Sequence, residues 1–261
     1  MVWQQSFRHF ATLTLTLTVE LLTLTPLSTP AETQGTPSTQ NSWEIGETSA
    51  YDPPPDIGSP DRKESGATRN PETCSRREKP PNPPLTALIP KNTDLGVTVA
   101  ERPTFFAYIP QTSAQTAKFV LQDEDDKQIY STTFAITKVP GLVSFQLPDT
   151  APKLQTGKTY QWTMAIVCPP KIDGSREEPG VYGKIWVTKL RSPIANDLEK
   201  ATPRDRLQLY RQYKIWHDAL TTLAELRRIN PNDAQLTAEW QELLTSAGLR
   251  EFAEIPVWGQ N

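Results

Sequence analysis

Thr159-Tyr160-Gln161-Trp162-Thr163-Met164-Ala165-Ile166-Val167-Cys168 is the stretch on which the fold turns. Tyr160, Trp162, Met164, Ile166 and Cys168 fall on one side at the two-residue period of a strand, and Gln161, Thr163 and Ala165 fall on the other. One side is built for a core and the other for a wetter surface. Working outward, Thr104–Ile109, Ala117–Gln122, Ile129–Ile136, Leu142–Leu147 and Val181–Leu190 are further short strand-like runs, separated by turn residues and by no helical period. In Leu142–Leu147, Val143, Phe145 and Leu147 alternate with Leu142, Ser144 and Gln146. Several short strands at close spacing predict a β-sandwich over residues 85–191.

The lead-in to the first stretch, Leu154-Gln155-Thr156-Gly157-Lys158-Thr159-Tyr160, resembles the tyrosine corner of immunoglobulin-like and fibronectin-type sandwiches. In that motif a Tyr at the start of a late strand sends its hydroxyl back to upstream backbone. An ordinary half-buried strand tyrosine is the competing reading of Tyr160. In antibody domains the second cysteine follows the Tyr by two residues, whereas Cys168 follows Tyr160 by eight. The expectation is therefore an immunoglobulin-like sandwich in general, without the antibody disulfide.

Beyond the strands the period changes. Over residues 192–250, two to three helices are predicted. Thr202-Pro203-Arg204-Asp205 supplies an N-cap hydroxyl, a proline at the first helical position and a carboxylate in the first turn. Trp216, Ala219, Leu220, Leu223, Leu226 and Ile229 mark a second helix by their i, i+3, i+4, i+7 spacing, which Asn230-Pro231-Asn232 breaks. Asn232 then caps a third helix carrying Leu236, Trp240, Leu243 and Leu244, and Gly248 ends it. The pair from Pro203 to Pro231 resembles a single tetratricopeptide unit, with Tyr210, Ala219 and Pro231 at that family's relative spacing. Leu207 stands at its usual small position and Lys214 at its usual turn glycine. One repeat cannot bury a solenoid core, so the hairpin is expected to dock on the sandwich. Trp216, Leu220 and Leu223, with Trp240 and Leu244, form a surface too apolar to leave in water. Whatever the sandwich does not cover is the candidate partner surface, and burial of all five is the competing reading. Residues 251–261 are left as a tail.

The chain has 261 residues, 25 of them proline, and 36% are hydrophobic, which is low for one fold spanning the whole length. The prolines gather in residues 32–84. There Tyr51-Asp52-Pro53-Pro54-Pro55 and Lys79-Pro80-Pro81-Asn82-Pro83-Pro84 favour polyproline II and read as a disordered linker without apolar periodicity, a ligand for an aromatic-lined groove being the alternative. Residues 1–31 have the parts of a secretory signal: Arg8, the apolar run Ala11–Leu24, and Thr29-Pro30-Ala31 as small residues for cleavage. A terminal arm and an uncleaved anchor are the alternatives, and Glu20 inside the apolar run argues against a permanent membrane span. The expected location is periplasmic or extracellular. Cys74 and Cys168 are the only cysteines, and in an exported chain they are expected to pair, two separate thiols being the alternative. In the chain-entropy picture, closing a loop of ~90 residues contributes up to about 4–5 kcal/mol.

Composition excludes several chemistries. A net charge of -3 lacks the basic footprint of a nucleic-acid binder, and His9 and His217 cannot make a multi-histidine metal site. His217, between Trp216 and Asp218, reads as an exposed or capping histidine. Asp123-Glu124-Asp125-Asp126 lacks the spacing of a calcium loop and reads as a hairpin turn. No phosphate loop, dinucleotide fingerprint or nucleophile elbow occurs, so no cofactor is expected.

One resemblance covers roughly Gly66 to Leu249. It is carried by Leu85–Pro90, Pro103-Thr104-Phe105-Phe106-Ala107-Tyr108-Ile109-Pro110, Leu121–Glu124, Pro140-Gly141, Lys158–Trp162 with Cys168, and Ile215–Leu223. In that order these segments resemble the domain-of-unknown-function 928 family, typical of cyanobacterial exported proteins. The resemblance implies export and brings no activity or site residues with it. The function expected is a non-enzymatic binding or adaptor module acting on another envelope protein. A carboxylate-dependent enzyme on envelope glycan or polymer, and a structural envelope component, are the alternatives.

Overall fold

The computed structural model describes Cys74, residues 81–170, Gly174, residues 178–192 and residues 194–259. All of them belong to one compact unit of the chain. The signal expected over residues 1–31 and most of the linker expected over residues 32–84 lie outside the described residues.

The strands are β1 (Thr86–Ala87), β2 (Leu95–Thr98), β3 (Thr104–Ile109), β4 (Thr116–Gln122), β5 (Gln128–Ala135), β6 (Gly141–Gln146), β7 (Thr159–Val167), β8 (Gly180–Val187) and, after the helices, β9 (Val257–Gly259). They form two sheets, in the orders β1-β3-β6-β9 and β2-β8-β7-β4-β5. Pairing is antiparallel except for β2 with β8 and β6 with β9. The core between the sheets is set by register: Phe105 lies across from Phe145, Phe119 from Met164 and Leu121 from Trp162. These side chains are all buried, with Phe119 stacked on Phe145 at 4.4 Å between ring centroids. Cys74 and Cys168 form a disulfide, so the pairing expected of the only two cysteines is present.

Sheet one is buried on both sides. Along β3, Phe105, Ala107 and Ile109 enter the core between the sheets, while Phe106 and Tyr108 point the other way into a second core. Leu88 and Leu142 join them, and three helices close over the patch, α2 (Pro203–Gln212), α3 (Trp216–Ile229) and α4 (Ala234–Ser246), preceded by a short α1 (Ile194–Lys200) that adds nothing to this core. The molecule is thus three layers deep, sheet on sheet on helices.

That arrangement corrects the expected partner surface. Trp216, Leu220, Leu223, Trp240 and Leu244 are all wholly buried in the second core. The outer face of β3 and β6 supplies the cover that helix periodicity could not reveal, and Trp216 also donates its indole N–H to the Leu88 carbonyl at 2.9 Å. Only Ile229, at the end of the apolar stripe, stands well exposed. The residues read as a tail are also part of the fold. Phe252 and Ala253 are buried, and Val257 and Trp258 pair with Leu142 and Val143 as β9. Helices number four among the described residues rather than two or three. The extra one, α1, has no buried residue and so no apolar stripe to read.

The helix ends follow local chemistry. Thr202 accepts from the Asp205 amide and Pro203 opens α2. Asp233, not Asn232, caps α4, accepting from the Gln235 and Leu236 amides at 2.9 and 3.1 Å. Gly248, at φ 75°, ends α4, with the Leu249 amide donating to the Leu244 carbonyl and the Gly248 amide to the Thr245 carbonyl. The same pair of bonds ends α2, but there the left-handed position is held by Lys214 at φ 56°.

Candidate functional site

Where α3 begins, an apolar helix face carries two polar residues in succession, His217 and Asp218. Both are aimed at the sandwich by the helical rise between Trp216, which anchors on Leu88, and Ala219 in the second core. Beneath them runs Leu95-Gly96-Val97-Thr98 of β2. Gly96 is required by the close approach: a Cβ there would lie 2.4 Å from His217 Nε2.

His217 is buried, which corrects the expectation of an exposed or capping residue. Its Nδ1 lies 3.1 Å from the Thr104 carbonyl, and its ring meets Phe105 edge-on at 5.7 Å. Burial pushes its pKa down to about 4, against a smaller opposing effect of the Thr104 bond. The ring is therefore neutral at pH 7, Nδ1 carries the proton and donates it to Thr104, and Nε2 has no hydrogen-bond partner. With Gly96 closing off Nε2, no reacting group can reach that nitrogen.

Asp218 faces the other way along β2. Its Oδ2 accepts from the Thr98 hydroxyl at 2.7 Å and from the Val99 amide at 3.2 Å. Thr98 in turn accepts from the Ala100 amide. Burial of the carboxylate pushes its pKa up to about 6, the two hydrogen bonds pulling the other way. Tyr210 of α2 is half-buried nearby, its phenol pKa raised by burial and then by the Asp218 charge.

These residues floor a cleft of about 220 Å³ between the first turn of α3, α2 and the β2–β3 turn. Thr98, Arg102, Gln146, Tyr210, Asp218 and Thr222 line it, with His217 at its base. Arg102 is spent on structure: Nε donates to the Pro148 carbonyl, and Nη2 to the carbonyls of Asp149 and Ala151. It ties the β6–β7 loop to the β2–β3 turn. What remains for a visitor is uncharged and partly exposed: the Gln146 amide, the Thr222 hydroxyl and the Tyr210 phenol. Glu239, a buried carboxylate on α4, does not line this cleft.

The sequence-derived candidates therefore separate. Tyr160 is buried, and its hydroxyl accepts from the Gln155 amide at 2.9 Å, the backward bond of a tyrosine corner. Cys74 and Cys168 are paired in the disulfide. The five apolar helix residues make up core. The acidic run is a turn between β4 and β5, where Asp123 Oδ1 accepts from the Asp125 and Lys127 amides. Among the described residues no cluster of His, Cys, Asp or Glu could hold a metal ion, and no helix is long and apolar enough to cross a membrane. Sequence reading missed the cleft, because Thr98, Arg102, Gln146 and Tyr210 come from four separate elements and turns. Its one legible signal was a His-Asp pair inside an apolar helix.

Fold and cleft define a two-sheet β protein with a helical third layer and a shallow polar cleft at the joint. Residues 64–257 match the family described as Domain of Unknown Function (DUF928), and the chain belongs to that family. No curated protein matches the chain.

Proposed function

We propose that the protein is an exported, non-catalytic binding module that takes a segment of another envelope protein in the cleft beside α3. The observation that carries this reading is the division of labour among the cleft's polar groups. Its ionisable members, Arg102, His217 and Asp218, are engaged with backbone and Thr98 inside the fold. Its accessible members, Gln146, Tyr210 and Thr222, are neutral donors and acceptors around an aromatic ring, a chemistry suited to a peptide backbone. The strand order, with β1-β3-β6 facing β8-β7-β4-β5 and Tyr160 opening β7, supports the immunoglobulin-like assignment. The left-handed turn at Lys214 supports the likeness of α2 and α3 to a tetratricopeptide hairpin. A disulfide supports an oxidising compartment, and with it the reading of an exported protein of the cyanobacterial periplasm or exterior.

The competing enzyme reading rests on Asp218, a carboxylate held near pKa 6 at the floor of a cleft. Glycoside cleavage uses a pair of carboxyl groups, and Asp218 is the carboxylate lining this cleft. Affinity capture from envelope fractions separates the two. Thr222→Arg and Gln146→Arg fill the cleft mouth from partly exposed positions and should release the partner without moving the unfolding midpoint. Equal retention of the partner by both variants would overturn the binding reading. A glycan-cleaving activity abolished by Asp218→Asn would replace it with the enzyme.

A further inference from the structure

We infer that β5 is a self-association edge, through which two copies of the chain join their five-stranded sheets across a two-fold axis. Sheet edges are templates for pairing, and folded proteins shield them by shortening, covering or charging them. Here β1 has two residues and β9 has three, and β2 has α3 against it, with Asp218 accepting from Val99. β5 is treated differently. It runs eight residues, it lies at the end of its sheet with β4 as its partner among the described strands, and Gln128-Ile129-Tyr130-Ser131-Thr132-Thr133-Phe134-Ala135 contains no charge and no proline.

Three features select a second copy as the occupant. The first is side-chain complementarity. In an antiparallel pairing centred on Thr132, residues opposite each other share a face. Tyr130 of one copy then meets Phe134 of the other, twice, about a central Thr132–Thr132 pair, while Ser131 meets Thr133 on the opposite face. Aromatic and threonine cross-strand pairs are favourable ones. Tyr130 and Phe134 are also half-buried at the margin of the core, where each stacks on Phe145 and keeps a side uncovered.

The second feature is charge. The chain enters β5 from the acidic turn Asp123-Glu124-Asp125-Asp126 and leaves it toward Lys138. The same antiparallel arrangement brings the turn at Asp126 of one copy toward the other copy's Lys138, which follows β5 and lies over the Trp258 ring 4.5 Å from its centroid, at both ends of the ribbon. A parallel pairing would instead set acid beside acid. The third feature concerns the chain's own Pro-rich stretch, the other segment within reach by sequence. Prolines such as Pro53, Pro54 and Pro55 have no amide hydrogen to give a ladder, so it is a poor strand.

Sedimentation velocity on the chain as recovered from the cell, over a wide range of concentration, tests the inference. A monomer–dimer equilibrium is expected. Ser131→Lys or Thr133→Lys, each at an exposed position, should weaken it about tenfold or more, because the two copies' lysines become diagonal neighbours on one face of the new ladder. Lys138→Glu should weaken it several-fold, and Lys138→Glu combined with Asp126→Lys should restore it. Circular dichroism of the variants checks that each remains folded. The cleft variant Thr222→Arg should leave self-association unchanged, which keeps this test separate from that of the binding cleft. A monomer at every concentration, a dimer indifferent to both lysine substitutions, or no restoration by the charge swap would overturn the inference.

Discussion

Tyr160 and the His217–Asp218 pair illustrate how single polar groups fix this fold. The Tyr160 hydroxyl satisfies the Gln155 amide ahead of β7, so Tyr160→Phe should lose about 0.5–1.5 kcal/mol, more if the amide is left without a partner. A lowered denaturant midpoint with an unchanged slope checks this. His217 and Asp218 act oppositely on the dependence of stability on pH. The His217 pKa falls from 6.5 to about 4 on folding, so the unfolded chain binds more protons between those values and stability rises with pH there. The Asp218 pKa rises from 3.8 to about 6, so its contribution is full below pH 3.8 and is lost as pH rises through 6. In the wild-type chain the two slopes oppose each other between pH 4 and 6. Asp218→Asn should therefore leave stability climbing with pH across that window, and His217→Asn should leave it falling, as read by thermal midpoints at a series of pH values. Parallel curves for the two variants would contradict these assignments.

At the scale of elements, α3 joins the layers. Trp216→Ala removes a fully buried indole together with its bond to the Leu88 carbonyl, and should cost about 3–5 kcal/mol in chemical denaturation. A residue reserved for a partner would give almost no change. The elements legible in the sequence were those with a long, one-sided pattern. β7 alternates from Tyr160 to Cys168, α3 repeats from Trp216 to Leu223, and the Thr202-Pro203 start and Gly248 stop are local chemistry written in adjacent residues. β2 escaped because it has four residues with Gly96 among them, and the reason for that glycine, the His217 ring, lies far away in sequence. β9 escaped because three residues cannot show a period, and its place is set by Leu142 and Val143 across the sheet. The cleft was illegible for the same reason, since its lining meets only when the layers do.

The whole molecule depends on β3 serving two cores at once. Pro103-Thr104-Phe105-Phe106-Ala107-Tyr108-Ile109-Pro110 is apolar on both sides of the strand, a pattern that belongs to a strand covered on both faces rather than to the outer sheet of a sandwich. Among the described residues, Phe106, Tyr108, Leu88 and Leu142 are covered by the helices and by the C-terminal residues that return to sheet one as β9. The helical segment is therefore a third layer of one fold, and the cleft at its joint exists only when that layer is seated. Equilibrium unfolding of the chain ended after Ser192, measured beside the full-length chain, tests this most directly. With Phe106 and Tyr108 stripped of their cover, the shortened chain should lose the full-length midpoint and its cooperative transition. A shortened chain that unfolds in one step at the full-length midpoint would contradict the three-layer fold and make the helices a separate appendage.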